Sequence, residues 1–212
     1  MKYKCIIFDC DGVLVDSESI SNQVIVDLAN AQGANIDLDY AIKHYAGTSL
    51  RFVKDDIERI IGRSLPTNFD QEYRRISYLK FQTDIKAIEG IRQVLDNLKI
   101  PFCVASNGPL DKMKINLNCT GLTDYFKENM FSAYEINAWK PNPKLFLHAA
   151  KTMGYTPNEC LVVEDSMSGV KAAIAGGFDV FAFTNGHPKE EFIKEEITTF
   201  DSMKDLIQLL KA

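Results

Sequence analysis

Continuous apolar runs, rather than alternating ones, punctuate this chain at Cys5–Phe8, Phe102–Ala105, Cys160–Val163 and Val180–Phe183, with a weaker run at Asn129–Ser132. Strands buried on both faces read this way, as in a parallel sheet. Helical periodicity fills the intervals, and this alternation predicts an α/β fold with a doubly wound, Rossmann-like parallel sheet. Glu18 to about Ile85 departs from the pattern, being helical in character throughout with no strand-like run. A crossover between parallel strands needs only a dozen or so residues, so roughly 65 form an insert rather than a connection. The expected organisation is a Rossmann-like core from residues 1–16 and 86–212, with an all-helical cap domain, 17–85, inserted in it. Hinges are expected at the junctions, near Asp16-Ser17 and Lys86 to Gly90. Within the insert, Tyr45-Ala46-Gly47-Thr48-Ser49 separates two helical stretches, and Ser49 suits the N-cap of the second.

Composition narrows the class of ligand. At 212 residues, 46% apolar and 25% charged, the chain has the profile of a soluble globular protein able to bury a sizeable core. A formal net charge of −5 argues against a nucleic-acid footprint, which shows as a basic excess. An anionic ligand must then be held by a local positive cluster or a metal. The five cysteines, Cys5, Cys10, Cys103, Cys119 and Cys160, lack the paired spacing of a zinc site. They read as buried thiols of a reducing compartment. The apolar stretch before Asp9 is too short for a signal peptide and no later run is long enough for a bilayer, so the expected location is the cytoplasm, with no membrane partner.

The candidate chemistry begins at Phe8-Asp9-Cys10-Asp11-Gly12, at the carboxyl end of the first strand, where α/β proteins bind ligands. On a short extended segment, residues i and i+2 point to the same side, so Asp9 and Asp11 face one space. Two acids so placed repel unless a cation or proton lies between them. An isolated D-x-D is more often a turn. Other strand ends, however, supply Ser106-Asn107-Gly108 and Glu164-Asp165-Ser166, while Trp139-Lys140-Pro141-Asn142-Pro143 holds Lys140 out of a helical backbone. Alone these read as a turn, a helix cap and a solvated lysine; on a doubly wound sheet they meet at one rim.

Asp9-Cys10-Asp11-Gly12, Ser106, Lys140 and Glu164-Asp165 resemble the four motifs of the haloacid-dehalogenase-like superfamily, over essentially the whole chain. The helical insert resembles the cap of the β-phosphoglucomutase-like group. Within that group, Phe8–Gly12, Ser106-Asn107-Gly108-Pro109 and Trp139-Lys140-Pro141 are most similar to bacterial sugar-phosphate phosphatases. The resemblance implies a Mg²⁺-dependent phosphatase for small phosphorylated metabolites such as sugar or sugar-acid phosphates. Asp9 would be the nucleophile that becomes an aspartyl phosphate, and Asp11 the general acid and base. The Ser106 hydroxyl and Asn107 backbone N–H would bind phosphate oxygens, with Lys140 steadying Asp9 against them. The implied metal ligands are the Asp9 carboxylate, the Asp11 backbone carbonyl and the Asp165 carboxylate, with Glu164 orienting a bound water. Charge counting agrees that a cation is needed, since each like-charge contact at ~4 Å costs about 4 kcal/mol at an effective dielectric of 20.

Asp11 favours phosphoryl transfer over carbon–halogen cleavage, because the dehalogenases generally lack the second acid. The alternative is a phosphosugar mutase. If Gly47 is the cap-loop glycine, Ala46 and Leu50 stand where those mutases carry lysine and arginine, and Ser21 falls at their histidine. These departures favour hydrolysis, with Arg51 replacing part of the missing charge. A non-catalytic phosphate-sensing or partner-binding protein is the reading from another class. Candidate cap selectors are Gly47, Thr48 and Arg51, with Tyr45, Arg74 and Tyr78 beside them. His44 lies near the cap loop, His148 in a core-packing helix and His187 in a turn, and Trp139 reads as a packing anchor. The expected state is a monomer, with a weak dimer as the alternative.

Overall fold

Every side chain of Cys5–Phe8 and of Cys160–Val163 is fully buried, as strands covered on both faces require. In the computed structural model, which describes residues 2–45, 48–185 and 190–210, these runs become the centre of a parallel sheet. In chain order the elements are β1 (Cys5–Phe8), β2 (Val15–Asp16), α1 (Glu18–Ala31), α2 (Leu38–Tyr45), α3 (Leu50–Ile61) and α4 (Phe69–Asp84). Next come β3 (Lys86–Ala87), α5 (Ile91–Asn97), β4 (Phe102–Ser106), α6 (Leu110–Cys119), α7 (Thr123–Phe126), β5 (Met130–Ser132), α8 (Ala133–Ile136) and α9 (Lys144–Met153). The chain continues through β6 (Cys160–Glu164), α10 (Met167–Ala175), β7 (Asp179–Phe183), α11 (Glu190–Lys194), β8 (Thr198–Phe200) and α12 (Met203–Leu209).

Two compact units result, one from residues up to Val15 together with those from Lys86 onward, the other Asp16–Ile85. The first holds a six-stranded parallel sheet in the order β5-β4-β1-β6-β7-β8. Successive side chains on β1 serve opposite faces. Cys5 and Ile7 join Cys103, Ala105 and Val162 under Leu145, Phe146 and Ala149 of α9 and Val170 and Ala173 of α10. On the other face Phe8, Phe102 and Phe126 meet edge to face, with centroids 6.1, 6.5 and 5.5 Å apart. Burying one such ring contributes about 1.5–3 kcal/mol.

Register fixes the rim on which the chemistry sits. Phe8 lies opposite Val104 on one side and Val163 on the other. Asp9 and Glu164, the next residues, and Ser106, two past Val104, therefore emerge at the same edge, and the Asp9 N–H donates to Val163 O at 2.9 Å. The sequence order places β4 and β6 on opposite sides of β1, so this edge is also where the chain reverses its progress across the sheet.

The helical unit packs Ile25, Val26 and Ala29 of α1 with Ala41 and Tyr45 of α2, Val53 and Ile57 of α3, and Phe69 of α4. Ser49 caps α3, its side chain accepting from the Phe52 N–H at 3.2 Å. Among the described residues, no helix is long and apolar enough to cross a membrane.

Three features differ from the pattern-based expectation. The edge strand β8 was not foreseen, because Thr198 and Thr199 are exposed and only Phe200 is buried, which leaves no apolar run. The pair β2 and β3 is two residues long on each side, below what periodicity can register. Cys119, expected as a buried thiol, is exposed at the end of α6, whereas Cys5, Cys10, Cys103 and Cys160 are buried and all five are unpaired.

Candidate active site

Lys140 is the centre of the rim. Its Nζ donates to Asp9 Oδ1 at 2.5 Å and to Glu164 Oε1 at 2.7 Å, and its side chain is only 3% exposed. The amine also lies 4.8 Å from the ring centre of Phe146, a second favourable contact for a desolvated cation. Its backbone is held from another strand end, since the Lys140 N–H donates to Asn107 Oδ1 at 2.8 Å. Asn107 was expected to act through its own N–H; its side chain has this further task, which a residue 33 positions away in sequence could not announce.

Glu164 closes the other side. Its Oε2 accepts from the N–H groups of Asp165 and Ser166 at 2.9 and 2.8 Å and from the Ser166 hydroxyl at 2.9 Å. Four donors, counting Lys140 at Oε1, thus surround a carboxylate with no exposure, and the Ser166 hydroxyl in turn accepts from the Gly169 N–H at 3.1 Å as the N-cap of α10. Gly169, in the first turn of α10, makes room for it: a Cβ there would lie 1.8 Å from Glu164 Oε1. Gly12 does the same for Asp165, since a Cβ would lie 2.2 Å from its Oδ2, and Gly12 has φ +82°, a backbone that favours glycine. The sequence offered Gly12 as a turn former, and it offered no signal for Gly169.

The electrostatics follow from crowding. Burial, reinforced by the negative charge of Glu164 and Asp11, pushes the Asp9 carboxyl up to about 7 against the pull of Lys140. For Lys140, burial alone would lower the amine's pKa, but Asp9 and Glu164 outweigh it and hold the amine above its ordinary value. Oxygens of Asp9, Glu164 and Asp165 all lie within 4.8 Å of one another. Three carboxylates facing one lysine leave an excess of negative charge. Such an all-oxygen set suits a hard divalent cation, and Mg²⁺ is commonly held by one or two carboxylates with substrate phosphate and water.

Ser106 is buried, and its Oγ accepts from the Gly108 N–H at 3.0 Å. The loop it begins is anchored from β5, where the Ser132 hydroxyl donates to Gly108 O at 2.7 Å. Asp11 meets α6: Lys112 Nζ lies 2.9 Å from each carboxylate oxygen, and Asn116 Nδ2 is 3.5 Å from Oδ1. Neither α6 residue was singled out from the sequence, where both read as positions on a helix.

The helical-unit candidates have a different character. Gly47 and Ala46 lie outside the described residues, as does His187. Thr48 is exposed and turns its hydroxyl back to Tyr45 O at 2.8 Å. Arg51 and Arg74 are exposed, and Tyr78 is half-buried beside Phe81. Tyr45 is buried with its hydroxyl on Asp56, which makes it a packing residue. His44 lies against the Tyr40 ring. Trp139 is half-exposed and edge-on to Tyr134, so it is no core anchor, while His148 is an exposed position, its ring against Phe131, on a helix whose Leu145, Phe146 and Ala149 pack in the core.

Comparison with known proteins places this arrangement. The sequence matches the family of haloacid dehalogenase-like hydrolases over residues 3–177. It is 34% identical over 212 residues to 6-phosphogluconate phosphatase of Escherichia coli K12, covering 100% of this chain and 96% of that protein. Hexitol phosphatase A of the same organism is 29% identical, over 86% of this chain and 83% of its own. A crystal structure of a haloacid dehalogenase-like protein from Agrobacterium tumefaciens has a TM-score of 0.91 at 31% identity, covering 99% of this chain and 98% of that one.

Proposed function

Because the chain belongs to the haloacid dehalogenase-like hydrolases and is a phosphoric monoester hydrolase, we propose that it hydrolyses sugar or sugar-acid phosphates through a phosphorylated Asp9. The observation that carries the reading is the buried ion triad, in which Lys140 bridges Asp9 and Glu164 at 2.5 and 2.7 Å. A carboxylate so held has one oxygen tied to a cation and its position fixed, which is what in-line attack on phosphorus requires. The substrate class is supported by the whole-chain similarity to a 6-phosphogluconate phosphatase and by the similarity to a hexitol phosphatase.

In this mechanism the Asp9 carboxylate attacks phosphorus as the bond to the ester oxygen breaks. Asp11 gives its proton to the departing oxygen, then takes one from the water that hydrolyses the aspartyl phosphate. The Ser106 hydroxyl and Asn107 N–H hold non-bridging oxygens, and Lys140 offsets the charge gathered on them. The Asp9 and Asp165 carboxylates and the Asp11 backbone carbonyl would hold Mg²⁺, with Glu164 fixing the groups around it. When bound, the ion supplies positive charge between the carboxylates and the phosphate. A cytoplasmic location suits the reading, since unpaired cysteines fit a reducing compartment.

The test is a phosphate-release panel of sugar phosphates, sugar-acid phosphates and nucleotides, with Mg²⁺ and with chelator. Release is expected on sugar or sugar-acid esters, lost on chelation and reduced more than about 10⁴-fold in Asp9→Asn. Conversion of glucose 1-phosphate to an isomer without free phosphate would establish a mutase instead. Phosphate binding with no turnover of any ester would leave the phosphate-sensing reading.

A further inference from the structure

Asp11 is a short side chain on the turn after β1, and proton transfer requires its carboxyl to stay in one place. The structure brings two residues of one helix face to it. Lys112, in the first turn of α6, brackets both carboxylate oxygens at 2.9 Å. Asn116, one turn later at the i+4 position, points its Nδ2 toward Oδ1 at 3.5 Å. Asn116 is an unusual choice for that site. It is wholly buried beside Met113 and Leu117, and its Oδ1 has no hydrogen-bond partner. A buried amide oxygen without a partner costs about 1–3 kcal/mol, so helix packing alone gives no reason for it. Its amide nitrogen has one, because it faces the acid that Lys112 holds.

We infer that Lys112, backed by Asn116, positions the Asp11 carboxyl for proton transfer at the ester oxygen. This rests on the reading of Asp11 as proton donor. In the step concerned, the Asp9–phosphorus bond forms, the phosphorus–ester oxygen bond breaks, and the Asp11 proton passes to that oxygen to give the free alcohol. Lys112 itself neither gives nor takes a proton in this step; it keeps the donor in place, and a misplacement of about 1 Å is enough to cost about 10²-fold.

The dependence on leaving group separates this role from a structural one. An alkoxide needs the proton, whereas p-nitrophenolate departs without it. The experiment measures single-turnover release of the leaving group, with enzyme in excess, from p-nitrophenyl phosphate and from the sugar phosphate turned over fastest in the panel above. It compares wild type, Asp11→Asn, Lys112→Met and Lys112→Arg. Asp11→Asn is expected to slow the sugar phosphate far more than the aryl ester. Lys112→Met is expected to slow the sugar phosphate by about 10–100-fold and the aryl ester by less than about threefold. Lys112→Arg, which keeps the charge, falls between Lys112→Met and wild type on the sugar phosphate. If Asp11→Asn keeps its selectivity while Lys112→Met slows both esters alike, or neither, the positioning role is overturned and the proton donor stands. If Asp11→Asn shows no selectivity, the proton-donor reading falls and the role of Lys112 falls with it.

Discussion

The rim of the sheet and the helical unit treat charge in opposite ways. At the rim, Lys140 and Glu164 are almost completely withdrawn from water, with side chains 3% and 0% exposed, and they bond to each other and to Asp9, Asn107, Asp165 and Ser166. In the helical unit, Arg51 and Arg74 lie in solvent. The dense polar network there is Asp56, which accepts from Tyr40 and Tyr45 at 2.9 Å each and from Arg59, and it joins α2 to α3. The first arrangement is costly to build and is repaid only by chemistry. The second is ordinary structural glue, and the charged candidates Arg51 and Arg74 stand apart from it in solvent. The two units thus differ in how densely their charged groups are bonded.

The largest effect is expected from Lys140→Met, which leaves Asp9 and Glu164 buried without their common cation. Breaking a buried ion pair from one side costs about 3–5 kcal/mol, and loss of a charge-stabilising donor costs about 10³-fold in kcat. Urea unfolding and kcat measured on the same variant would both show it; a variant with normal stability and activity would erase the contrast between the two units.

Gly169→Ala sharpens the comparison with a single methyl group. Its Cβ would sit 1.8 Å from Glu164 Oε1, so Glu164 must move and Lys140 with it. A fall of about 10²-fold in kcat is expected, with KM changing much less. An unaltered kcat would mean that the placement of Glu164 has no bearing on turnover.

Asp56→Ala is the matching change in the helical unit, and its effect should be on stability rather than on chemistry. Burial works against the Asp56 carboxylate, but hydrogen bonds from Arg59, Tyr40 and Tyr45 hold its pKa below the ordinary 3.8. A depressed folded-state pKa contributes stability above the unfolded value, and this is lost as pH falls through the folded value. Wild type should therefore exceed Asp56→Ala by about 1–3 kcal/mol at pH 7, and the gap should narrow below about pH 4. Thermal unfolding at both pH values checks it, with kcat on p-nitrophenyl phosphate remaining within about twofold.

Much of the fold could be read from the chain because its strands are buried on both faces and so leave unbroken apolar runs, as at Cys5–Phe8 and Cys160–Val163. β8 escaped because an edge strand with exposed threonines leaves no such run. At the site, residues at strand ends were legible because register brings strand ends together whatever lies between them. Lys112 and Gly169 were not. Lys112 reaches Asp11 across 101 positions from the face of a helix, and nothing local distinguishes it from any solvated lysine. Gly169 matters for what it lacks, and only the carboxylate packed against it reveals that.

On the proposed mechanism, Asp9 carries the phosphoryl group between the two half-reactions. Mixing the enzyme with Mg²⁺ and its best ester, quenching in acid within one turnover, reducing with borohydride and mapping peptides by mass spectrometry tests it directly, since an aspartyl phosphate becomes homoserine. Homoserine is expected at position 9 and at neither position 11 nor position 165. Turnover with no reduction at Asp9, or reduction at another acid, would contradict it.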